Sequence, residues 1–322
     1  MSQQKTYLVT GATGFVGSAL IERLATQANA QVMALVRQDG VALPEHVVPV
    51  RVGADYLADG NLPMAGVQVV IHCAARVHVM ADSSSDPLTE YRKVNVDGTL
   101  KLAEQAASAG VRRFIFISSI KVNGEGTPKG KPYTADDAPA PVDAYGISKM
   151  EAEQQLMLLG RRSGMEVVII RPVLVYGPGV KANFHSMMSW LNKGVPLPLG
   201  AIRNQRSLVA LDNLVDLIVT CLDHPAAANE IFMVSDGDDM STTELLIRMC
   251  TALDKPVRLI PVPALLLLTG ASVLGRKPVA QRLCGSLQVD IQKTRALLGW
   301  EPPSTVAQAL SKTAKSFQGS LK

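Results

Sequence analysis

The chain has 322 residues, of which 47% are hydrophobic and 19% charged, and its formal net charge is +4. This length allows one large core or a domain with an appended lobe. No basic run with interleaved aromatic residues is present, so no nucleic-acid partner is expected. The four cysteines are far apart and the histidines lack metal-ligand spacing. We therefore expect no metal site, a reducing compartment and, because no signal peptide precedes the first strand, a cytoplasmic protein.

Residues 7–24 carry the first informative pattern. An apolar run passes into Gly11, Gly14 and Gly17 and then into an amphipathic stretch, which predicts a strand, a tight turn and a helix. Glycines in such a turn let backbone N–H groups approach a pyrophosphate at the helix N-terminus, where the helix dipole favours negative charge. A turn before any buried helix also favours glycine. The strand before and the helix after make a dinucleotide site the favoured interpretation.

Continuous apolar strands alternate with helical stretches through the first half of the chain. The predicted strands are residues 7–10, 31–37, 48–52, 67–73, 113–118 and 167–171, and the main helical stretches are 94–109 and 144–162. This alternation predicts an α/β fold with a doubly wound parallel sheet covered on both faces, a Rossmann domain over residues 1–174 that is rejoined by about 205–232. Beyond Pro172 the pattern loosens. We expect residues 175–204 and 233–322 to form a smaller α/β substrate lobe over the carboxyl ends of the strands.

Tyr145 and Lys149 are four residues apart, which is one turn on the same helix face. An ammonium near a phenol favours the phenolate, so we expect the Tyr145 pKa to lie below its usual value of about 10. Such a tyrosine can take a proton from an alcohol or donate one to a ketone. The pair alone could be an ordinary surface pair. Its position after a strand that leads into Ser118 and Ser119 favours oxidoreductase chemistry.

Together these motifs resemble the extended short-chain dehydrogenase/reductase family, which contains nucleotide-sugar epimerases, dehydratases and reductases. The resemblance covers nearly the whole chain. The segments that carry it are residues 10–17, 54–55, 72–75, 95–99, 119, 145–149, 171–179, 206–212 and 298–302. It implies a nicotinamide dinucleotide cofactor, a UDP-sugar substrate and a homodimer formed through the helices that begin near Val94 and Ala144.

The resemblance also implies a role for individual residues. Tyr145 would exchange a proton with the sugar, Ser119 would hydrogen-bond the same oxygen, and Lys149 would hold the nicotinamide ribose and tune Tyr145. The implied cofactor-binding residues are Gly11, Thr13, Gly14, Phe15, Val16, Gly17, Arg37, Asp55, Tyr56, Ala74, Ala75, Asn95, Tyr145, Lys149, Pro172 and Val175. The implied substrate-binding residues are Arg76, His78, Ser119, Lys121, Tyr145, Asn183 and Arg206.

The end of the second predicted strand bears on the choice of cofactor. NAD-specific sites usually place an acidic residue there, which accepts from the ribose 2′-hydroxyl. Arg37 occupies this position and could bind a 2′-phosphate, so NADP(H) is favoured over NAD(H). Asp39 keeps NAD open as an alternative, and Arg37 could simply be exposed.

Two departures from the family pattern bear on the reaction. Members that remove water from the sugar carry an Asp-Glu pair where this chain has Ile120 and Lys121, which argues against dehydration. Asn123 replaces a tyrosine usual in the family. Residues 75–80, 83–87 and 204–211 resemble bacterial reductases of UDP-4-keto-6-deoxy-N-acetylglucosamine, so we favour hydride transfer at C4 of a UDP-hexosamine in surface-polysaccharide (O-antigen) synthesis.

Two alternatives remain. One is a UDP-glucose or UDP-N-acetylglucosamine 4-epimerase with tightly bound NAD. The other is a non-catalytic NADP(H)-sensing module, against which the intact Ser119, Tyr145 and Lys149 argue.

Residues 263–274 are strongly apolar but too few to span a bilayer. The favoured interpretation is a buried helix, and the alternative is a patch with weak contact to a membrane surface.

Overall fold

The computed structural model describes residues 4–38, 40–53, 61–77, 86–273, 275 and 277–321. Within these residues, seven strands form one parallel sheet: β1 (Lys5–Thr10), β2 (Ala30–Val36), β3 (Val47–Arg51), β4 (Val69–His72), β5 (Arg113–Ile117), β6 (Glu166–Pro172) and β9 (Ile231–Val234). Their order across the sheet is β3-β2-β1-β4-β5-β6-β9. The strand order reverses beside β1, as in doubly wound folds. The predicted α/β fold class is confirmed.

The central strands are apolar on both sides because both faces of the sheet are covered. On β1, Val9 packs into one core and Leu8 into the other. Likewise on β5, Ile115 faces the first core, whereas Phe114 and Phe116 face the second. Successive side chains of a strand point to opposite faces, so an uninterrupted apolar run requires cover on both.

Helices Phe15–Ala25 and Leu211–Asp223 contribute to the first core, and helices Thr99–Ser108 and Ala144–Ser163 to the second. The predicted helix over residues 94–109 begins as a π-helical stretch, Lys93–Gly98. The remaining helical elements are Pro87–Arg92, Ile120–Val122, Ala182–Asn192, Pro225–Ala227, Thr242–Ala252, Ala264–Val273, Lys277–Cys284, Gln292–Leu298 and Val306–Gly319.

A separate apolar cluster forms the core of the second lobe. It lies among helices Ala182–Asn192, Thr242–Ala252 and Val306–Gly319. Beside it, β7 (Leu174–Tyr176) and β8 (Leu208–Ala210) pair in parallel. The sequence pattern missed β7, β8 and β9, since three or four residues are too few to show a periodicity.

The apolar helix Ala264–Val273 is exposed, so the prediction of a buried helix was wrong. Leu265, Leu266 and Val273 are 72%, 60% and 87% exposed. Ala264 and Leu267 pack against the second-lobe core. An apolar run in the sequence does not indicate which sides of a helix are covered by the rest of the protein. Across the described ranges, no helix combines the length and apolar character that a membrane span needs.

Candidate active site

The backbone packs so closely at the glycine turn after β1 that two of its glycine positions have no room for a side chain. Gly11 has a φ of +66°, and a Cβ atom there would lie 2.7 Å from the backbone nitrogen of Ala74. A Cβ on Gly17 would lie 2.1 Å from the Gly11 carbonyl oxygen, so neither position accepts a side chain. Gly14 precedes helix Phe15–Ala25, and no described side chain caps that N-terminus. Uncapped N–H groups at the positive end of a helix fit the pyrophosphate of a dinucleotide.

His72, at the end of β4, ties the glycine turn to its neighbours. Its Nδ1 lies 2.6 Å from Thr10 Oγ1 and its Nε2 lies 3.0 Å from Thr99 Oγ1. The Ala74 backbone N–H donates to the same Thr10 oxygen at 3.2 Å. Burial, helped by the charge of Lys149, lowers the pKa of His72 to about 3. His72 is therefore a neutral structural link.

Asn95 fastens the segment after β4 to the helix that carries Tyr145. Its Oδ1 accepts from the Arg76 backbone N–H at 2.8 Å, and its Nδ2 donates to the Arg76 carbonyl at 3.1 Å and to Ser148 Oγ at 3.0 Å. Ser148 donates in turn to the Tyr145 carbonyl at 2.8 Å. The Arg76 guanidinium carbon lies 5.6 Å from the centre of the Tyr91 ring, whose centroid is 6.0 Å from that of Tyr145. Residues 74–76 are thus held beside the helix that carries Tyr145.

Ser119 and Tyr145 meet at the carboxyl end of β5. Asp143 caps the Tyr145 helix by accepting from the Gly146 N–H at 2.7 Å, which places Tyr145 in the first turn. The Ser119 side chain is near enough to Tyr145 to lower its pKa, and Ser119 Oγ accepts from the Lys121 N–H at 3.2 Å. The structure therefore brings together the predicted serine and tyrosine.

The predicted lowering of the Tyr145 pKa was wrong. Burial, helped by the negative charge of Asp143, raises the Tyr145 pKa to about 12, although the Ser119 side chain opposes this shift. The Lys149 ammonium points elsewhere, because Nζ donates to the Ile117 carbonyl at 2.7 Å and lies 3.8 Å from the centre of the Phe116 ring.

Lys149 is 1% exposed, and that burial lowers its pKa to about 7, with the carboxylate of Glu153 opposing the shift. Its ammonium therefore titrates near neutral pH instead of carrying a permanent charge. The spacing of Tyr145 and Lys149 correctly placed both on one helix but could not report this burial.

A buried ionic network braces the turn that carries Ser119. The Arg171 guanidinium donates to both carboxylate oxygens of Glu153, with an Nη2 to Oε2 distance of 2.5 Å. Ser118 Oγ donates to Glu153 Oε1, and Arg171 Nη1 donates to Asn123 Oδ1 at 3.0 Å. Ser118 and Asn123 lie on either side of Ser119. This network is not predicted from the sequence, where its only local signal is the position of Glu153 one turn beyond Lys149.

Other predicted cofactor residues lie around the sheet edge. Arg37 follows β2 and is exposed. Pro172 ends β6, and Val175 lies in β7. Thr13 belongs to the glycine turn, whereas Phe15 and Val16 begin the following helix, and Ala75 follows Ala74 beyond β4. The predictions for Asp55, Tyr56 and His78, and the alternative based on Asp39, fall outside the described residues.

Of the remaining predicted substrate residues, Lys121 and Arg206 have partners within the protein and Asn183 is exposed. Lys121 Nζ lies 2.8 Å from Glu125 Oε1 and also pairs with Asp143. Asn183 is exposed in the first turn of helix Ala182–Asn192. Arg206 Nη1 donates to the backbone carbonyls of Arg282 at 2.7 Å and Gly285 at 3.2 Å. Arg206 is therefore anchored to two backbone carbonyls of the second lobe.

Known proteins share this architecture. A UDP-glucose 4-epimerase of Vibrio cholerae is 50% identical to this chain over 319 residues, which is 97% of this chain and 95% of that protein. The crystal structure of the Thermotoga maritima UDP-glucose 4-epimerase with UDP-glucose covers 98% of this chain and 100% of that one, with a TM-score of 0.78 at 22% identity. The UDP-glucuronic acid 4-epimerase of Bacillus cereus in complex with NAD gives the same TM-score and coverage at 19% identity. These two structures support the fold.

The sequence matches the NAD dependent epimerase/dehydratase family over residues 7–235, a range that contains the glycine turn, Ser119, Tyr145 and Lys149. The chain belongs to the NAD dependent epimerase/dehydratase family.

Proposed function

We propose that this protein is a UDP-sugar 4-epimerase that inverts C4 of UDP-glucose or UDP-N-acetylglucosamine with a resident NAD. The observation that carries the proposal is that Ser119 and Tyr145 come together beside the glycine turn, in a chain half identical to a UDP-glucose 4-epimerase. The sequence motifs favour a 4-ketoreductase, with the epimerase as the alternative. The relative's activity supports the epimerase better.

The chain provides a fitting cradle for the cofactor. Gly11, Gly14 and Gly17 would receive the pyrophosphate against the uncapped helix N-terminus. Lys149 would hold the nicotinamide ribose. When bound, the nicotinamide supplies a hydride acceptor and donor for C4 of the sugar.

Tyr145 is the proton carrier in this proposal. It takes the proton of the C4 hydroxyl as the sugar is oxidised and returns one when the ketone is reduced, so it ends in its starting state. Ser119 stabilises the phenolate and lowers the Tyr145 pKa against the effect of burial. Ser119 also provides a hydroxyl for the C4 oxygen. The Glu153–Arg171 network keeps Ser119 within reach of Tyr145.

The second lobe, residues 175–204 and 233–322, is proposed to hold the nucleotide while the keto sugar turns. Arg206 would bind the diphosphate with a guanidinium whose position is set by the carbonyls of Arg282 and Gly285. Asn183 would contact the base, and Arg76, Lys121 and His78 would line the sugar.

A second candidate is the 4-ketoreductase that uses exchangeable NADP(H). The specific observation in its favour is Arg37, an exposed cation directly after β2 that could receive a 2′-phosphate. The epimerase instead needs a dinucleotide that stays bound through both hydride transfers. The two candidates therefore predict different cofactor contents.

The deciding experiment incubates purified protein with UDP-glucose, and separately with UDP-N-acetylglucosamine, without added cofactor. Epimerisation at C4 and release of NAD on denaturation would support the proposal. No epimerisation, together with NADPH consumption on UDP-4-keto-6-deoxy-N-acetylglucosamine, would overturn it in favour of the reductase. Tyr145→Phe is the matched control, because it removes only the phenolic hydroxyl.

We also propose a homodimer formed through helices Thr99–Ser108 and Ala144–Ser163. A monomeric mass in solution scattering would contradict it.

We place the protein in the cytoplasm, and its four free thiols fit a reducing compartment.

A further inference from the structure

An apolar surface on the second lobe has no part in the proposed chemistry. It consists of the exposed side chains Val257, Ile260, Leu265, Leu266 and Val273, and we name it the leucine face. Ala264 and Leu267, on the inner side of the same helix, pack against the lobe core and fix the orientation of the helix. Exposed aliphatic side chains clustered within one short segment mark an interaction site.

The chain segment that contains the leucine face, between Asp254 and Asp290, carries charge of one sign. Residues 255–289 contain five basic residues and no aspartate or glutamate, so this segment carries more positive charge than the formal net +4 of the whole chain. Lys255, Arg258 and Arg282 are exposed. The rest of the chain is thus close to neutral, and the cations are concentrated where the apolar side chains are exposed.

We propose that the leucine face docks on an anionic lipid surface. Exposed leucines can enter the boundary between headgroups and acyl chains, while nearby lysines and arginines interact with anionic headgroups. A second copy of the same face fits less well, because a symmetric contact would oppose two like-charged segments. Lipid provides both an apolar layer and the opposite charge.

The leucine face is connected to the proposed substrate lobe. Helix Lys277–Cys284 contacts helix Ala264–Val273, and its end is held by residues near Arg206. Asn204 Nδ2 donates to the carbonyls of Leu283 at 3.2 Å and Gly285 at 2.7 Å, and Arg206 donates to Gly285 as well. Docking would therefore hold the substrate lobe at the bilayer surface. The lipid contact itself does not depend on which reaction the protein catalyses.

The test is co-sedimentation of the full chain with vesicles of phosphatidylcholine alone and of phosphatidylcholine and phosphatidylglycerol in equal amounts. We expect binding to the anionic vesicles that weakens as salt is raised. Leu265→Gln/Leu266→Gln should weaken this binding at least ~tenfold. The matched control, Ile247→Gln/Leu297→Gln, removes two exposed aliphatic side chains from other helices and should bind like the unmodified protein.

Three outcomes would overturn the lipid proposal. They are no sedimentation of the unmodified protein with anionic vesicles, an equal loss of binding in both variants, and a fall in oligomeric mass of the leucine variant with vesicle binding unchanged. The last result would assign the face to contact between copies. Both variants should keep the solution activity of the unmodified protein, so a failure of the epimerase proposal would be visible separately.

Discussion

The Glu153 carboxylate and the Arg171 guanidinium form an ion pair whose side chains are only 3% and 2% exposed. The pair joins the helix that carries Tyr145 and Lys149 to β6, and its outer hydrogen bonds reach Ser118 and Asn123. A buried ion pair is costly to desolvate, so its contribution to stability is small compared with the cost of breaking it. Its effect here is positional, because it braces the Ser119 turn against the Tyr145 helix.

Glu153→Gln should destabilise the protein by about 3–5 kcal/mol, because it leaves the buried Arg171 charge uncompensated. Urea unfolding measures this loss. The matched control is Glu151→Gln on the same helix, which also pairs with an arginine, Arg92, but at a site where the two side chains are 21% and 45% exposed. That change should cost no more than about 1 kcal/mol. Equal losses would contradict the account of Glu153 and Arg171 as a buried ion pair whose breaking leaves an uncompensated charge.

Lys149→Met should abolish activity and raise the melting temperature. Burial lowers the Lys149 pKa from 10.5 to about 7, so the folded state disfavours the charged lysine. The unfolded chain binds the additional proton between these two values, and stability therefore rises with pH across this window. The gain from methionine should be largest below pH 7 and should shrink towards pH 10.5. A gain that is independent of pH, or a lower melting temperature throughout, would contradict the burial of the ammonium.

His72→Gln tests the neutral link between β4 and its neighbours. The His72 pKa falls from 6.5 to about 3 on folding, so between these values only the unfolded chain binds the proton and stability falls as the pH falls. Between about pH 7 and about pH 5 the variant should lose about 2 kcal/mol less stability than the unmodified protein. Urea unfolding at both pH values measures the difference. The same loss in both proteins would show that His72 does not titrate as described.

The local parts of this site could be predicted from sequence, and the parts that depend on distant contacts could not. Gly11 lies in the turn after β1 and Gly17 in the first turn of the helix that follows it. Tyr145 and Lys149 lie one helical turn apart, so in both cases the sequence spacing predicts the geometry. Arg171 is on a different element from Glu153, and nothing in either neighbourhood indicates the pair.

The same distinction explains two wrong predictions. The direction in which the Tyr145 pKa shifts depends on burial by surrounding elements, and burial outweighs any effect of the nearby lysine. The helix with Leu265 and Leu266 has only two polar side chains, Thr269 and Ser272, which are too few to predict which side of it meets solvent.

Gly17→Ala should eliminate binding of the dinucleotide. Its Cβ would lie 2.1 Å from the Gly11 carbonyl oxygen, so the turn and the helix N-terminus would have to separate. Titration of NAD binding by calorimetry, on protein refolded without cofactor, measures the loss. Gly319→Ala is the control, since a Cβ there meets no atom within 4 Å among the described residues. NAD binding by the Gly17→Ala variant that matches the control would contradict the assignment of this turn to the cofactor.

The central claim is that the hydride removed from C4 during oxidation is the same one that is returned to C4 during reduction. UDP-glucose with deuterium at C4 tests it, with product examined by NMR after reaction in ordinary water without added cofactor. We expect UDP-galactose that retains the deuterium at C4, and almost none of this product from Tyr145→Phe. Loss of the deuterium to solvent would contradict the claim, as would the absence of a C4 epimer from both this substrate and UDP-N-acetylglucosamine with deuterium at C4.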